Sequence, residues 1–220
     1  VLSANTTLTI TGTGNLSFFS TVDSDSTTRT LTIAVGANDT TFSGYVGQTH
    51  PLGQLTITTG TLSGNKIGLT GSGGLSVTNS GSGLITDVIS GTSASLTKAG
   101  VGTLTLSGAN TYGGATTVNA GTLALSGSGT LGNTISLLTI NNATLDLQRG
   151  LTVGSLLMMG ISPVITNSTG TSSLVVNGTS TLKGTVTTSG LQTYTGAVTL
   201  GANTTLTGVG VVFHSAVDGA

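Results

Sequence analysis

The chain lacks several residue types on which common protein classes depend. It contains no cysteine, no tryptophan and no glutamate, and only 5% of its 220 residues are charged. The absence of cysteine excludes a disulfide scaffold and a thiolate metal site. The absence of glutamate, together with only six dispersed aspartates, argues against the paired carboxylates that glycosidases use. No cofactor is expected.

Basic residues are equally scarce. The net charge is −1, and nucleic acids and anionic membranes are recognised by clustered Lys and Arg. No apolar run approaches the ~18 residues of a membrane helix. We therefore expect neither a nucleic-acid partner nor membrane insertion. The five basic residues are spread over Arg29, Lys66, Lys98, Arg149 and Lys183.

The residues that are abundant favour an all-β protein with many turns. The chain has 36 Gly, 36% hydrophobic residues and a mean hydropathy of +0.38, which is too apolar for a disordered chain. Short runs alternate apolar and polar residues, as in Leu8-Thr9-Ile10 and Leu145-Asp146-Leu147. This period of two is typical of strands with one buried face. It predicts that Asp146 is an ordinary outward charge on a strand.

The same alternation predicts the orientation of the most regular segment. Leu104, Leu106, Leu123 and Leu125 are expected to face the core, and Thr103 and Thr105 to face outward.

Internal repetition indicates a stack of coils. Thr41-Phe42-Ser43-Gly44, Thr111-Tyr112-Gly113-Gly114 and Thr193-Tyr194-Thr195-Gly196 share a Thr-aromatic-x-Gly pattern, and Ala4–Thr9 reappears as Ala202–Thr207. A unit this small cannot bury its own apolar face, so it must stack on its neighbours. Coils of about 20 residues predict roughly eleven turns at ~4.8 Å each, a rod of about 50 Å.

Within that stack, Asn residues at the corners are expected to adopt left-handed backbone conformations and to bond to Asn in the next coil. Leu151 to Val164 is the least regular stretch and is expected to form a wider coil or a bulge. Residues 1–220 are interpreted as one continuous β-helical segment of a longer protein.

One segment has a regular spacing of glycine, leucine and corner residues. These residues are Gly100, Gly102, Leu104, Leu106, Gly108, Asn110, Tyr112, Gly114, Thr116, Gly121 and Leu123. This spacing resembles the passenger-associated repeat of bacterial autotransporters. Leu191 to Leu200, and more weakly Phe42 to Gly47, are similar to the degenerate repeats of filamentous-haemagglutinin-like adhesins. The resemblance implies a right-handed parallel β-helix that is secreted across an outer membrane to the cell surface.

Candidate catalytic and metal-binding residues are few. The only histidines, His50 and His214, have no G-x-S-x-G nucleophile near them, so no hydrolytic triad is expected. Asp23-Ser24-Asp25 is the one local pair of carboxylates. It is either a weak Ca²⁺ site or a solvated turn. The turn is favoured, because a good Ca²⁺ site takes six to eight oxygen ligands.

The sequence leaves three functions open. The first is a structural segment of an extracellular adhesin or matrix fibre, with adhesion from the accumulated polar surface, to glycans or host and abiotic surfaces. The second is a carbohydrate-active enzyme or carbohydrate-binding module, which the dispersed aspartates and few aromatic residues disfavour. The third is ice binding, which needs a flat Thr array in register; irregular spacing argues against it. The Thr-x-Thr pairs are Thr9/Thr11, Thr56/Thr58, Thr103/Thr105 and Thr185/Thr187.

Self-association is a further expectation. Val1 to Ile10 and Val209 to Ala220 show no helical periodicity and contain a single charge, Asp218. Solenoids need polar caps to stay monomeric, and an uncapped end leaves backbone groups unpaired. End-to-end or lateral association between copies follows as a hypothesis.

Overall fold

The computed structural model describes residues 1–219, and in that range the chain forms β-strands joined by turns, with no helix. Every strand pair is parallel. Parallel strands that are close in sequence need a connection passing round the molecule. Here each connection carries strands of the other faces, so the chain winds into a parallel β-helix.

The first sheet contains one strand from each level of the stack. In stacking order it is made of β1 (Thr6–Thr9), β3 (Thr30–Ala34), β5 (Leu52–Thr59), β7 (Ile67–Asn79), β10 (Leu96–Ala99), β12 (Thr116–Val118), β14 (Leu137–Asn141), β17 (Ser155–Met159), β20 (Ser180–Leu182), β23 (Val198–Leu200) and β26 (Val217–Gly219).

The second sheet receives the chain after the first turn of each coil. Its strands are β2 (Leu16–Phe18), β4 (Thr40–Phe42), β6 (Leu62–Gly64), β8 (Ser82–Ile85), β11 (Thr103–Leu106), β13 (Thr122–Leu125), β15 (Thr144–Leu147), β18 (Val164–Thr166), β21 (Thr185–Thr187) and β24 (Thr205–Thr207).

The third face is a continuous sheet only in the C-terminal part of the stack. There it contains β16 (Leu151–Val153), β19 (Leu174–Val176), β22 (Leu191–Tyr194) and β25 (Gly210–Phe213). Nearer the N-terminus, β9 (Ile89–Ser90) pairs with the start of β7, and isolated bridges join Val22 to Val46 and Val46 to Ile67.

Coil length varies while the register between strands is kept. Thr7 pairs with Thr32, 25 residues later, whereas Thr181 pairs with Thr199, 18 residues later. The turns absorb the difference. The eleven strands of the first sheet make ten steps of ~4.8 Å, a stack of about 50 Å, as the sequence predicted.

The core is a column of aliphatic side chains between the faces. Leu104, Leu106, Leu123 and Leu125 have no exposed surface, while Thr103 is exposed and Thr105 half-buried on the outer side. The predicted orientation is confirmed. Each leucine stacks on an equivalent residue of the next coil: Leu104 on Leu123, and Leu123 on Leu145.

The stretch Leu151 to Val164 begins a wider coil, as expected, although its strands are regular. β17 pairs with β14 over five residues without a shift, but Leu157 pairs with Thr181, 24 residues later, whereas Thr181 pairs with Thr199 after 18. A bulge occurs elsewhere, where β7 is irregular against β5 between Leu52 and Gln54. The bulge contains Gly71 and Gly74, both at positive φ, a conformation that glycine adopts without steric cost.

In residues 1–219 no helix has the length and apolar character needed to cross a membrane. The terminal strands of the first sheet, β1 and β26, each pair with a neighbour on one side. Ala220, which belongs to the C-terminal segment considered above, lies outside the described residues.

Candidate functional site

The motif residues form one complete coil and part of the next. β10 and β11 stand on adjacent faces, and β12 and β13 repeat them one level further along the stack. Leu104, Leu106 and Leu123 fill the core, and the glycines lie at the corners. The motif thus describes how one coil turns and stacks.

Two glycines of the motif occupy the same corner of successive coils. Gly100 has a φ of +75° and Gly121 a φ of +65°, a region that L-residues rarely adopt. A Cβ on Gly100 would lie 2.9 Å from the backbone nitrogen of Asn79, and one on Gly121 would collide with the carbonyl oxygens of Gly100 and Gly102. Glycine is therefore required here both by conformation and by the close stacking of the coils.

Asn110 joins three successive coils through its side chain. Its Oδ1 accepts a bond from the amide of Ile89 in the preceding coil at 2.8 Å, and its Nδ2 donates to the carbonyl of Thr130 in the following coil at 2.8 Å. The side chain is 4% exposed. The expected bond between asparagines of successive coils is wrong for Asn110, because its partners are backbone groups. Left-handed asparagines do occur, at Asn142 and Asn203.

The aromatic residues of the three Thr-aromatic-x-Gly segments are all buried, but they are not equivalent. Tyr112 and Tyr194 lie on the third face, whereas Phe42 belongs to β4 of the second sheet. The hydroxyl of Tyr112 bonds to that of Thr116 at 2.7 Å, and the hydroxyl of Tyr194 donates to Gln192 at 3.1 Å. Burial raises the pKa of both phenols.

Lys98 is a buried cation that the sequence analysis missed. Its side chain has no exposed surface. Its Nζ donates to the carbonyls of Ala99 at 2.6 Å, Gly100 at 2.8 Å and Ala120 at 3.3 Å. Burial lowers the pKa of Lys98 to about 8. The signal was present, because Leu96-x-Lys98 places the lysine on the core side of β10.

Asp146 faces away from the core but is not the exposed charge that the sequence predicted. It is 7% exposed. Its Oδ1 accepts from the amide of Ser168 at 2.9 Å, and its Oδ2 from the Ser168 hydroxyl at 2.5 Å and from Gln148 at 3.0 Å. Burial alone would raise the pKa of Asp146; the bonds from Ser168 and Gln148 outweigh it and hold the pKa below its ordinary value. Asp146 joins two coils.

The Asp23-Ser24-Asp25 pair is occupied by protein groups. Asp23 Oδ1 accepts from the amides of Thr49 at 3.0 Å and His50 at 3.4 Å. Asp25 binds Arg29 through both oxygens, at 2.9 and 2.7 Å, and the bond from Arg29 lowers the pKa of Asp25. The two carboxylates thus brace different turns, and the turn is ion-paired and not merely solvated.

The remaining candidates do not assemble into a catalytic centre. His50 and His214 are both exposed and lie in different coils. In residues 1–219 no group of three His, Cys, Asp or Glu side chains is placed to hold a metal ion.

One recess of about 500 Å³ opens along four successive coils near Tyr45. Tyr45 is 37% exposed, and Gln48, Asn65 and Asp87 also line the recess. Asn65 is already used, since it donates to the carbonyl of Ser43 at 2.9 Å and accepts from a threonine of the next coil. The recess combines one aromatic ring with amide, hydroxyl and carboxylate groups and contains no basic residue.

Comparison with known proteins identifies the motif segment. Residues 96–125 match the family model of the passenger-associated transport repeat. Neither the curated proteins nor the solved structures give a significant match to the chain. The match covers β10 to β13, the segment described above. The fold and this repeat fit an autotransporter passenger-like structural segment, whose repeats are structural and not catalytic and whose family points to a surface or secreted location.

Proposed function

We propose that this chain is part of the rigid extracellular rod of a bacterial adhesin or matrix fibre, and that it acts in surface attachment, biofilm or filament assembly. The observation that carries the proposal is the passenger-associated transport repeat at residues 96–125, which lies within an unbroken stack of parallel coils. Two buried polar residues of that repeat, Lys98 and Asn110, bond to backbone groups. In this proposal their role is to stabilise the stack of coils, and they take no part in catalysis.

Stiffness and surface character support this role. The hydrogen-bonded ladders of the first two sheets continue through ten or more levels. The outer side chains are mainly Thr, Ser and Asn, with few charges. Such a rod extends away from the cell. Adhesion comes from many weak contacts along its length.

Attachment under flow tests the proposal. The chain is displayed on a bacterial surface that lacks other adhesins, and cells retained on glycan-coated and abiotic surfaces are counted. The matched control displays a Gly/Ser linker of equal residue number. We expect several-fold greater retention with the rod, and equal retention would contradict the proposal.

Carbohydrate binding at the Tyr45 recess is a second candidate, favoured by the exposed Tyr45 ring and by Gln48, whose side chain forms no hydrogen bond within residues 1–219. An aromatic face and a few convergent polar groups are typical of small-ligand sites. Binding to an array of neutral oligosaccharides should be lost in Tyr45→Ala. Phe19→Ala, which removes a ring that is 86% exposed and does not line the recess, is the matched control. Loss in both variants, or in neither, would exclude the recess.

A further inference from the structure

The outer face of the first sheet contains an uninterrupted column of hydroxyl side chains. In seven successive coils the residue at one register position is Thr or Ser, and each pairs with the next through the strand ladder. After Leu157 the column resumes at Thr181 and Thr199. The seven residues, here called the threonine face, are Thr7, Thr32, Thr56, Ser76, Thr97, Thr117 and Thr139.

The spacing of this column is regular although the sequence spacing is not. Neighbouring strands are ~4.8 Å apart, so the hydroxyl and methyl groups repeat at that distance along the rod. A second, shorter column of hydroxyl side chains lies two residues further along the strands, where Thr58 and Thr78 pair in adjacent coils. The bulge of β7 precedes Ser76 and leaves this register intact.

The hydroxyls of the threonine face have no partner within residues 1–219. None of the seven takes part in a side-chain hydrogen bond, and all are exposed or half-buried. Hydroxyls at the corners differ: those of Thr59 and Thr130 donate to backbone carbonyls. A hydroxyl offers one donor and two acceptor positions. The face therefore presents a periodic set of free donors and acceptors to the outside.

The face is also neutral and free of aromatic rings. From β1 to β23 the strands of the first sheet contain one charged residue, Lys98, and it points into the core. No Phe or Tyr occurs in these strands. An ionic partner would find no complementary charge, and a sugar would find no ring to stack on. The chemistry that fits is neutral, hydrogen-bonding and periodic.

We propose that the threonine face binds ice. Ordered water can bond to each hydroxyl, and a water bridge is nearly as favourable as a direct hydrogen bond. A crystal presents its hydrogen-bonding positions at a fixed repeat, as the face does. Liquid water and flexible polymers have no such repeat.

The reason for disfavouring ice binding from the sequence was the uneven spacing of the Thr-x-Thr pairs, and the turns remove that objection. Those pairs are divided between sheets: Thr56/Thr58 belongs to β5 of the first sheet, whereas Thr103/Thr105 and Thr185/Thr187 belong to β11 and β21 of the second. Of the remaining pair, Thr9 is in β1, but Thr11 lies outside it. Of these pairs only Thr56/Thr58 contributes to the threonine face, through Thr56, and the other six members of the column lie outside the Thr-x-Thr pairs.

Partition into slowly growing ice tests the proposal on the purified chain. The fraction of protein taken into the ice is measured, together with inhibition of ice recrystallisation. The variant Thr97→Tyr/Thr117→Tyr places two bulky rings in the middle of the face. We expect the wild type to enter the ice and the variant to lose at least ten-fold of its activity, with an unchanged far-UV spectrum and melting temperature.

The matched control is Thr105→Tyr, which puts a ring on the outer face of the second sheet. Thr105 is half-buried, as Thr97 and Thr117 are. The control variant should keep wild-type activity. If the wild type partitions no better than an inert protein of the same size, or if Thr105→Tyr loses as much as the double variant, the proposal is wrong. Neither result depends on attachment to surfaces.

Discussion

Polar residues inside the stack are concentrated where the chain turns. The Thr59 hydroxyl lies within hydrogen-bond distance of the carbonyl oxygens of Asn38 and Thr61, and Asn79 donates from its amide to the carbonyls of Gly81 at 2.6 Å and Thr103 at 2.9 Å. Lys98 does the same one coil further along. Backbone groups that are buried at a corner need hydrogen-bond partners. These inward polar side chains supply them.

The buried ionisable groups predict an unusual dependence of stability on pH. The pKa of Lys98 is about 8 in the folded chain, against 10.5 ordinarily, so between these values the unfolded chain holds more protons and stability rises with pH. Tyr112 and Tyr194 have raised pKa values, against 10.0 ordinarily, so stability falls above pH 10. We expect the guanidinium unfolding midpoint to peak near pH 10.

The variant Lys98→Met separates the two effects. It removes the titrating amine while keeping a long apolar stem, so the rise from pH 8 to 10 should disappear and the fall above pH 10 should remain. A rise of the same size in Lys98→Met would show that the three carbonyls stabilise the ammonium enough to offset its burial.

Asn110→Ala should weaken the stack through two backbone groups. The change leaves the amide of Ile89 and the carbonyl of Thr130 without their partner, and an unsatisfied buried group costs about 1–3 kcal/mol. Equilibrium unfolding measures the loss. Asn119→Ala, at an exposed position, is the control and should change stability by less than about 0.5 kcal/mol. Equal effects of the two changes would mean that the cross-coil bonds of Asn110 contribute nothing.

At the scale of the strand, a core leucine should matter to its own coil and its neighbours. Leu106→Ala is expected to cost about 2–5 kcal/mol, because the side chain is fully buried. Coils contact only their neighbours, so loss of hydrogen-exchange protection should be confined to the coil of Leu106 and the two adjacent coils, from β7 to β13. The exposed Leu137 provides the control, Leu137→Ala. Uniform loss of protection along the rod would show that the stack unfolds as one unit.

The sequence predicts the side-chain directions within a strand better than the contacts between coils. Alternation is local, so the inward direction of Leu104 could be derived from its neighbours, and that of Lys98 follows by the same rule. Burial of Asp146 could not be derived, since it depends on Ser168, 22 residues later. The threonine face was missed for the same reason: register across coils depends on turn lengths, which composition does not reveal.

At the scale of the whole molecule, we predict no hydrolase or lyase activity on polysaccharides. Apart from the neighbouring Asp23 and Asp25, the aspartates are dispersed over different coils, and these two are held by backbone amides and Arg29. Release of reducing ends and of unsaturated products from a panel of polysaccharides should stay at background. Activity that disappears in Asp23→Asn or Asp25→Asn would contradict this.

Association of copies is a separate prediction for the intact chain. β1 and β26 each leave one edge without a neighbour, and a strand edge invites pairing with another chain. The sedimentation coefficient should therefore increase with protein concentration. Thr7→Pro, which removes a backbone donor from β1, should reduce the increase, whereas Asn119→Ala should not. A monomer at all concentrations would contradict association.

The direction of the ladders has a mechanical consequence. The hydrogen bonds between successive coils point along the rod, so a pull on its two ends loads the coils in series and can open them one at a time. A released coil contains 18 to 25 residues, each of which extends to about 3.3–3.6 Å. Every opening would lengthen the chain by roughly 60–90 Å at nearly constant force. A rod built in this way dissipates a sudden load instead of transmitting it to the surface that it holds.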